Sequence, residues 1–436
     1  MDIISMCEAV RLILQIYNIH MKRVTLFVIS LFLTLTAVAH TVPKFVTVEE
    51  FDTIREKLDV LSRINLGGFG EGTFNYDFSS VRSYVGESDI EDAPSHYSFD
   101  IPRIVLMLEV NLGKGWGIET DIQFENLNKV GIDQFWIQKQ LSIAAGFRVG
   151  YFTLPVGEMN AHDDPLEFFT VNRPEGEDEI LPCEWHQTGV SFFGEKGPWS
   201  YDVMVLPGLN TSLFSKSNIV YTDKDGELLS VAKGRDFAIT GRLDNTSIAG
   251  LRLTASGYWG LSSNTRLEYG NGINSEVKGN IGVLSFDFLY DNYGLVVRGN
   301  TTWGRYSKST VTTHSESNFS DKYSGFKNAV SVGLEGGYNV FNLFPDVKEQ
   351  KLYVFGRYDY WQPYTEIDKT SLILSYRDPS SVLGYDWGKA QKLTVGINYF
   401  PIDNVVIKAD FSQRFEANCK RGPMVSLGVG YSGQFL

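Results

Sequence analysis

Cysteine is scarce in this chain of 436 residues: there are three, at Cys7, Cys183 and Cys419. Two or three thiols cannot staple a fold of this size, although one disulfide between Cys183 and Cys419 stays open in an oxidising compartment. Basic charge is also short, with 39 Lys and Arg against 52 Asp and Glu and a net charge of −13, which argues against nucleic acid as a partner. Long apolar runs are missing beyond residue 39, so no helix able to cross a bilayer is expected there.

The one long apolar run lies near the start, in "MKRVTLFVISLFLTLTAVA", residues 21–39. Lys22 and Arg23 precede it and Ala37-Val38-Ala39 closes it, the plan of a secretory signal peptide with cleavage before His40. Residues 1–20 would spoil the short basic start such peptides need, so they read as an overlong gene start. Residues 1–39 hold two acids and three bases, so the exported chain stands at −14. Residues 40–62 contain "KFVTVEEFDTIREKLDVLSR", a short amphipathic helix with Thr47 and Glu50 placed as a capping box.

What the chain has in quantity is glycine, tyrosine and phenylalanine, at 42, 22 and 29 residues. From residue 63 on, apolar residues alternate with small, polar or charged ones, as in "LRLTASGYWG", "KLTVGINYF" and "VVIKADFSQRF". A period of two gives each strand one greasy face and one polar face. Aromatics such as Tyr151, Trp259, Trp303, Tyr338, Tyr399 and Tyr431 fall on the apolar face near strand ends, where a membrane interface favours amphipathic rings. About sixteen such segments can be marked out, joined alternately by tight turns and long loops, as short periplasmic turns and long external loops are in outer-membrane barrels. The fold expected is therefore all-β, a transmembrane antiparallel β-barrel of about 16 strands over residues 63–436. Two connections break the rhythm, a short link near Leu127–Lys129 and the longer turn "FNLFPDVKEQ", and either could mark a misplaced strand pair.

Taking the apolar face of each strand as lipid-facing puts Arg103, Arg148, Arg242, Arg252, Arg298, Arg357, Lys408 and Arg414 in the lumen. Glu109, Glu119, Asp121, Asp202, Asp287, Glu335, Asp359 and Asp410 share that face. An Arg or Lys turned to lipid at the midplane would cost about 2–4 kcal/mol, which fixes the phase.

The most charged loop, residues 152–184, is the third external connection and contains "NAHDDPLEFF". Glu158, His162, Asp163, Asp164, Glu167 and Arg173 are its candidate pore-constriction residues. Three readings compete for them: lining a pore, ligating a metal through His162, Asp163, Asp164 and His186, and acid or base chemistry. Neither spacing nor helix phase fixes a ligand geometry, and no nucleophile stands at a persuasive spacing, so no metal, cofactor or catalytic residue is assigned.

The stretch "GYFTLPVGEMNAHDDPLEFFTVNRPEGEDEILPCEWHQTGVSFFG", residues 150–194, with the hairpins around it, resembles the phosphate-selective porin O/P family and related outer-membrane porins. The resemblance implies an outer-membrane location, a third loop folded inward as the constriction, passive diffusion of small hydrophilic solutes or inorganic anions such as phosphate, and a homotrimer. The acidity of the loop departs from a phosphate specialist, and mixed wall charges suggest a transverse field between a basic wall and an acidic loop. The alternative is a ligand-binding or adhesion barrel acting through its external loops, and an outer-membrane enzyme is a further class without a supporting motif.

Overall fold

The computed structural model describes residues 62–436 except 79, 84–89, 94, 128, 182–184, 209–236, 269–273, 307–311, 316–319, 324–325, 345–346, 348, 368–388, 417–418 and 436. The signal segment, the early start and the amphipathic helix, save its last residues, lie outside these, and so does Cys183.

Sixteen antiparallel staves make up the wall. They are β1 (Ile64–Asp77), β2 in two pieces (His96–Asp100 and Arg103–Gly113), β3 (Trp116–Glu125), β4 (Lys129–Ser142) and β5 (Ala145–Thr153). Then come β6 (His186–Lys196), β7 (Trp199–Pro207), β8 (Phe237–Ile248), β9 (Leu251–Glu268), β10 (Asn274–Asn292) and β11 (Leu295–Tyr306). The last five are β12 (Phe326–Asn339), β13 (Lys351–Ile367), β14 (Ala390–Ile402), β15 (Val405–Glu416) and β16 (Met424–Gln434). Each stave pairs with its sequence neighbours, and β1 pairs with β16 from Gly67↔Gln434 to Asp77↔Met424, which closes the sheet and removes its edges.

The wall is inside out by the standards of a water-soluble fold. On β14, Leu393, Val395 and Ile397 are 50%, 56% and 48% exposed, while Thr394 and Asn398, on the other face, are 2% and 0% exposed. Polar in and apolar out is the arrangement a lipid solvent stabilises. Among the described residues no helix is long and apolar enough to cross a membrane.

One end of the barrel carries tight turns. Two-residue links join β2 to β3, β6 to β7, β8 to β9 and β10 to β11, with positive φ at Lys114 (52°), Gly115 (77°), Gly197 (62°), Gly250 (75°), Tyr293 (55°) and Gly294 (76°). Backbones of that hand match the twist of the flanking strands. The two irregular connections are genuine and no strand pair is misplaced. Asn126 and Leu127 take φ of 47° and 58° to make a tight hairpin at the opposite end. "FNLFPDVKEQ" opens on a 3-10 turn, Val340–Leu343, capped by the Asn339 side chain, which accepts from the Phe341 N–H. One boundary moves: the alternation from Leu141 to Tyr151 suggests one strand, but β4 runs on to Ser142, Ile143 and Ala144 form the turn, and β5 begins at Ala145.

Candidate functional site

The connection between β5 and β6 does not stay at the rim. Gly157, with φ of 83°, turns the chain; its N–H donates to Ser256 Oγ on β9 at 3.1 Å. A Cβ there would stand 2.1 Å from Glu177 Oε1, so the close approach requires glycine. A short helix follows, α1 (Glu158–Ala161), and a second, α2 (Glu175–Asp178), lies on the return path.

The six candidate constriction residues can be placed one by one. Glu158 accepts from Arg252 on β9 at 2.8 Å and lies 3.9 Å from Arg242 on β8. His162 meets Arg242 at 3.1 Å and Glu167 at 3.4 Å. Asp163 accepts from Arg103 on β2 at 2.5 Å and from Arg173 at 2.8 Å. Asp164 bonds Ser432 on β16 and accepts from the Leu166 N–H at 2.8 Å. Residues 158–164 thus run from β8 and β9 to β2 and β16, across the lumen.

From there the loop follows the far wall. Lys408 on β15 donates to the Phe168 and Thr170 carbonyls at 2.7 and 3.0 Å, and Asn398 on β14 donates to the Phe169 carbonyl at 2.9 Å. The Val171 N–H donates to Asp410 at 2.6 Å, and Asn172 reaches Asn75 on β1 and Ser426 on β16. Glu175 takes Lys392 on β14 at 2.5 Å and Arg414 on β15 at 2.8 Å. Glu177 accepts from Asn300 on β11 at 2.7 Å and from the Met159 N–H at 3.0 Å, tying the two halves of the loop together.

Apolar packing fixes the loop's two ends. Leu154, Val156, Ile180, Leu181 and Trp185 form one buried cluster with Phe152, Met204, Tyr258, Ile281 and Val283 of the wall. Phe169 forms another with Val296 and Phe355, its ring 5.4 Å from that of Phe355. Fully burying a side chain of this size contributes about 1.5–3 kcal/mol.

Electrostatics in the loop follow from these contacts. Burial pushes the Asp163 carboxyl up, but Arg103 and Arg173 outweigh it and hold the group below the usual range. Glu175 behaves alike, with Lys392 and Arg414 outweighing burial. Glu177 goes the other way: burial first, then the charges of Asp287 and Glu158, push it up to about 8. Burial also lifts Glu179 to about 7, against the pull of Arg414.

The eight predicted lining residues all face inward, but they are not a bare basic wall. Arg148 is paired with Asp202 at 3.0 Å, Arg298 with Glu335 at 3.3 Å and Arg357 with Asp359 at 2.7 Å. Arg242 holds Asp244 at 3.0 Å. With the pairs above, seven arginines carry carboxylates and Lys408 caps carbonyls. The expected field between a basic wall and an acidic loop is therefore replaced by ion pairs that bind the two together.

The histidines and aspartates proposed as alternative metal ligands diverge: His186 sits 3.2 Å from Asp133 on β4 and 2.8 Å from Thr153, while Asp163, Asp164 and His162 turn to the partners above. Among the described residues no group of three or more such side chains is placed to hold a metal. Sequence reasoning passed over Lys392, Phe168 and Phe169. Lys392 carried a usable signal, since it is in phase with inward Thr394 and Asn398; the two phenylalanines, on an irregular segment, carried none.

No family model matches the sequence. An uncharacterised protein of Aquifex aeolicus is 24% identical over 360 residues, covering 80% of this chain and 75% of that one. Among solved structures, OprB of Pseudomonas putida, determined at high pH, aligns with 88% of this chain and 97% of its own at 11% identity and a TM-score of 0.51. OmpF of Salmonella typhi, in complex with daunomycin, aligns with 85% and 97% at 11% identity and a TM-score of 0.50. These neighbours are outer-membrane porins, and what the chain shares with them is the closed sixteen-strand barrel fold.

Proposed function

We propose that the protein is an outer-membrane porin whose third external loop, residues 152–184, constricts a water-filled passage for small hydrophilic solutes. The observation that carries this reading is the crossing of residues 158–164 from β8 and β9 to β2 and β16, which divides the lumen. The larger apolar cluster joins the loop to β4, β5, β7, β8, β9, β10 and β12, and the smaller one joins it to β11 and β13. A cavity of about 320 Å³ lies at the tight-turn end on the β9–β16 side, lined by residues such as His162, Glu167, Phe169, Arg298 and Tyr353. In this reading the passage runs past the other side, where a cavity of about 470 Å³ at the tight-turn end is lined by Gln140, Arg148, Phe193 and Asp202 among others.

Export by the signal segment, a surround of outer-membrane lipid and assembly as a trimer belong to the same reading. Phosphate preference does not, because a guanidinium already held by a carboxylate offers no free fork to an anion. No chemical step is needed.

Liposome swelling tests the reading. Vesicles holding the refolded barrel should swell in a pentose and progressively less in a hexose, a disaccharide and a trisaccharide. Asp163→Asn combined with Glu175→Gln, which cuts two of the ion-pair clasps that hold the loop to the wall, should admit the larger sugars. No swelling with a folded barrel would end the porin reading; an unchanged size series in the variant would end the role of the loop.

A further inference from the structure

The return helix of the loop brings three carboxyl groups together inside the barrel. Glu177 on α2 is 1% exposed and faces Glu158 on α1 and Asp287 on β10. Its two oxygens accept from neutral donors only, the Met159 N–H at 3.0 Å and Asn300 on β11 at 2.7 Å. Asp287 is 4% exposed; one of its oxygens accepts from Ser285 at 2.9 Å, and Oδ2 has no donor among the described residues. Cations face this group, but each is engaged elsewhere. Arg252 holds Glu158 at 2.8 Å, Arg242 holds Asp244 at 3.0 Å, and Arg357 on β13 is shared by Asp359 at 2.7 Å and Glu335 at 3.6 Å. Among the described residues neither Glu177 nor Asp287 forms an ion pair. A buried carboxylate without a cation is costly, so the arrangement favours a proton in place.

We propose that Glu177 is a proton-operated clasp of the constriction loop: protonated, it lets α2 stay seated against β10 and β11, and once ionised it is repelled by Asp287 and Glu158, so that the loop lets go and the passage widens. The inference rests on the porin reading and adds the regulation of its loop. The clasp sits where the two halves of the loop meet. Gly157, at the turn into the lumen, packs on the Glu177 carboxyl, and Met159 of α1 donates to it, so a charge there acts on both halves at once. Burial first, then the neighbouring carboxylates, push Glu177 up to about 8. The seated loop therefore keeps a proton that a released loop gives up, and the hold is lost as pH rises from the ordinary glutamate value to about 8. Glu179, which ends α2 and lies 3.6 Å from Arg414, is lifted only to about 7, so most of its part falls below the window from pH 7 to 8.

Swelling of liposomes in a disaccharide relative to a pentose tests this across pH, because uncharged sugars read the width of the passage and not its field. In wild type the ratio should rise about fivefold or more between pH 7 and 8 and level off above about pH 9. Glu177→Gln should hold the ratio near the wild-type value at pH 7 over the same range. Should glutamine unseat the loop at every pH, Asp287→Asn decides: it leaves Glu177 in place, removes one of the charges that repel it, and should end the rise below pH 8. A wild-type ratio that does not change with pH, or a rise of wild-type size in Glu177→Gln or in Asp287→Asn, would overturn the clasp while leaving the porin reading in place. No swelling at any pH with a folded barrel would remove the porin reading and this inference with it.

Discussion

At the scale of single residues, the loop is held by carboxylates with opposite proton preferences. Glu175 is depressed, so its contribution to holding the loop is present above the ordinary carboxylate range and is lost as pH falls through its folded value. Glu177 is raised to about 8, so the seated loop binds its proton more tightly than a released loop would, and the hold weakens as pH rises from the ordinary glutamate value to about 8. Around Glu177 stand Asp287 and Glu158, which oppose its ionisation, with Asn300 and the Met159 N–H donating to it. Protection factors of the loop amides, with the intrinsic pH dependence of exchange removed, should therefore peak near the ordinary glutamate range and fall both toward acid and as pH rises to about 8. Glu177→Gln should shorten the alkaline limb, ending it at about pH 7 where Glu179 titrates, and leave the acid one. An alkaline limb that still extends to about pH 8 in that variant would assign it to another group.

At the scale of elements, the loop is a folded insertion anchored by its own small core. Leu181 is 1% exposed in the cluster with Trp185 and, on the wall, Tyr258 and Ile281. Leu181→Ala should cost about 2–5 kcal/mol of local hold, read as faster proteolysis of the loop with the barrel intact. This cluster also shows where reading the sequence stops. The strands were legible because alternation, tight turns and long loops agree with one another over most of the chain. The phase of the charged residues was legible because arginine cannot face lipid cheaply. On β7, however, "VMVLP" after Asp202 is apolar on both faces, and its Met204 and Leu206 point inward to the loop core. Asp202 sets the phase that turns both inward, but period-two patterning cannot show that they meet an apolar loop core there. Nor can it show which loop carboxylate meets which wall cation, as Glu175 lies more than 200 residues from both Lys392 and Arg414 in the chain.

At the scale of the whole molecule, the barrel combines an apolar exterior, a wall of paired charges and a loop laid across the opening. Val395→Arg on the outer face of β14 should destabilise the folded barrel in lipid by about 2–4 kcal/mol, while Thr394→Arg on the inner face should escape that cost of facing lipid. The measurement that bears most directly on the account is unit conductance in planar bilayers, comparing wild type with Asp163→Asn/Glu175→Gln. Steady ohmic steps in wild type, and larger, noisier steps in the variant, are the predicted result. A folded wild-type barrel without steps, or a variant with wild-type steps, would contradict a pore narrowed by this loop.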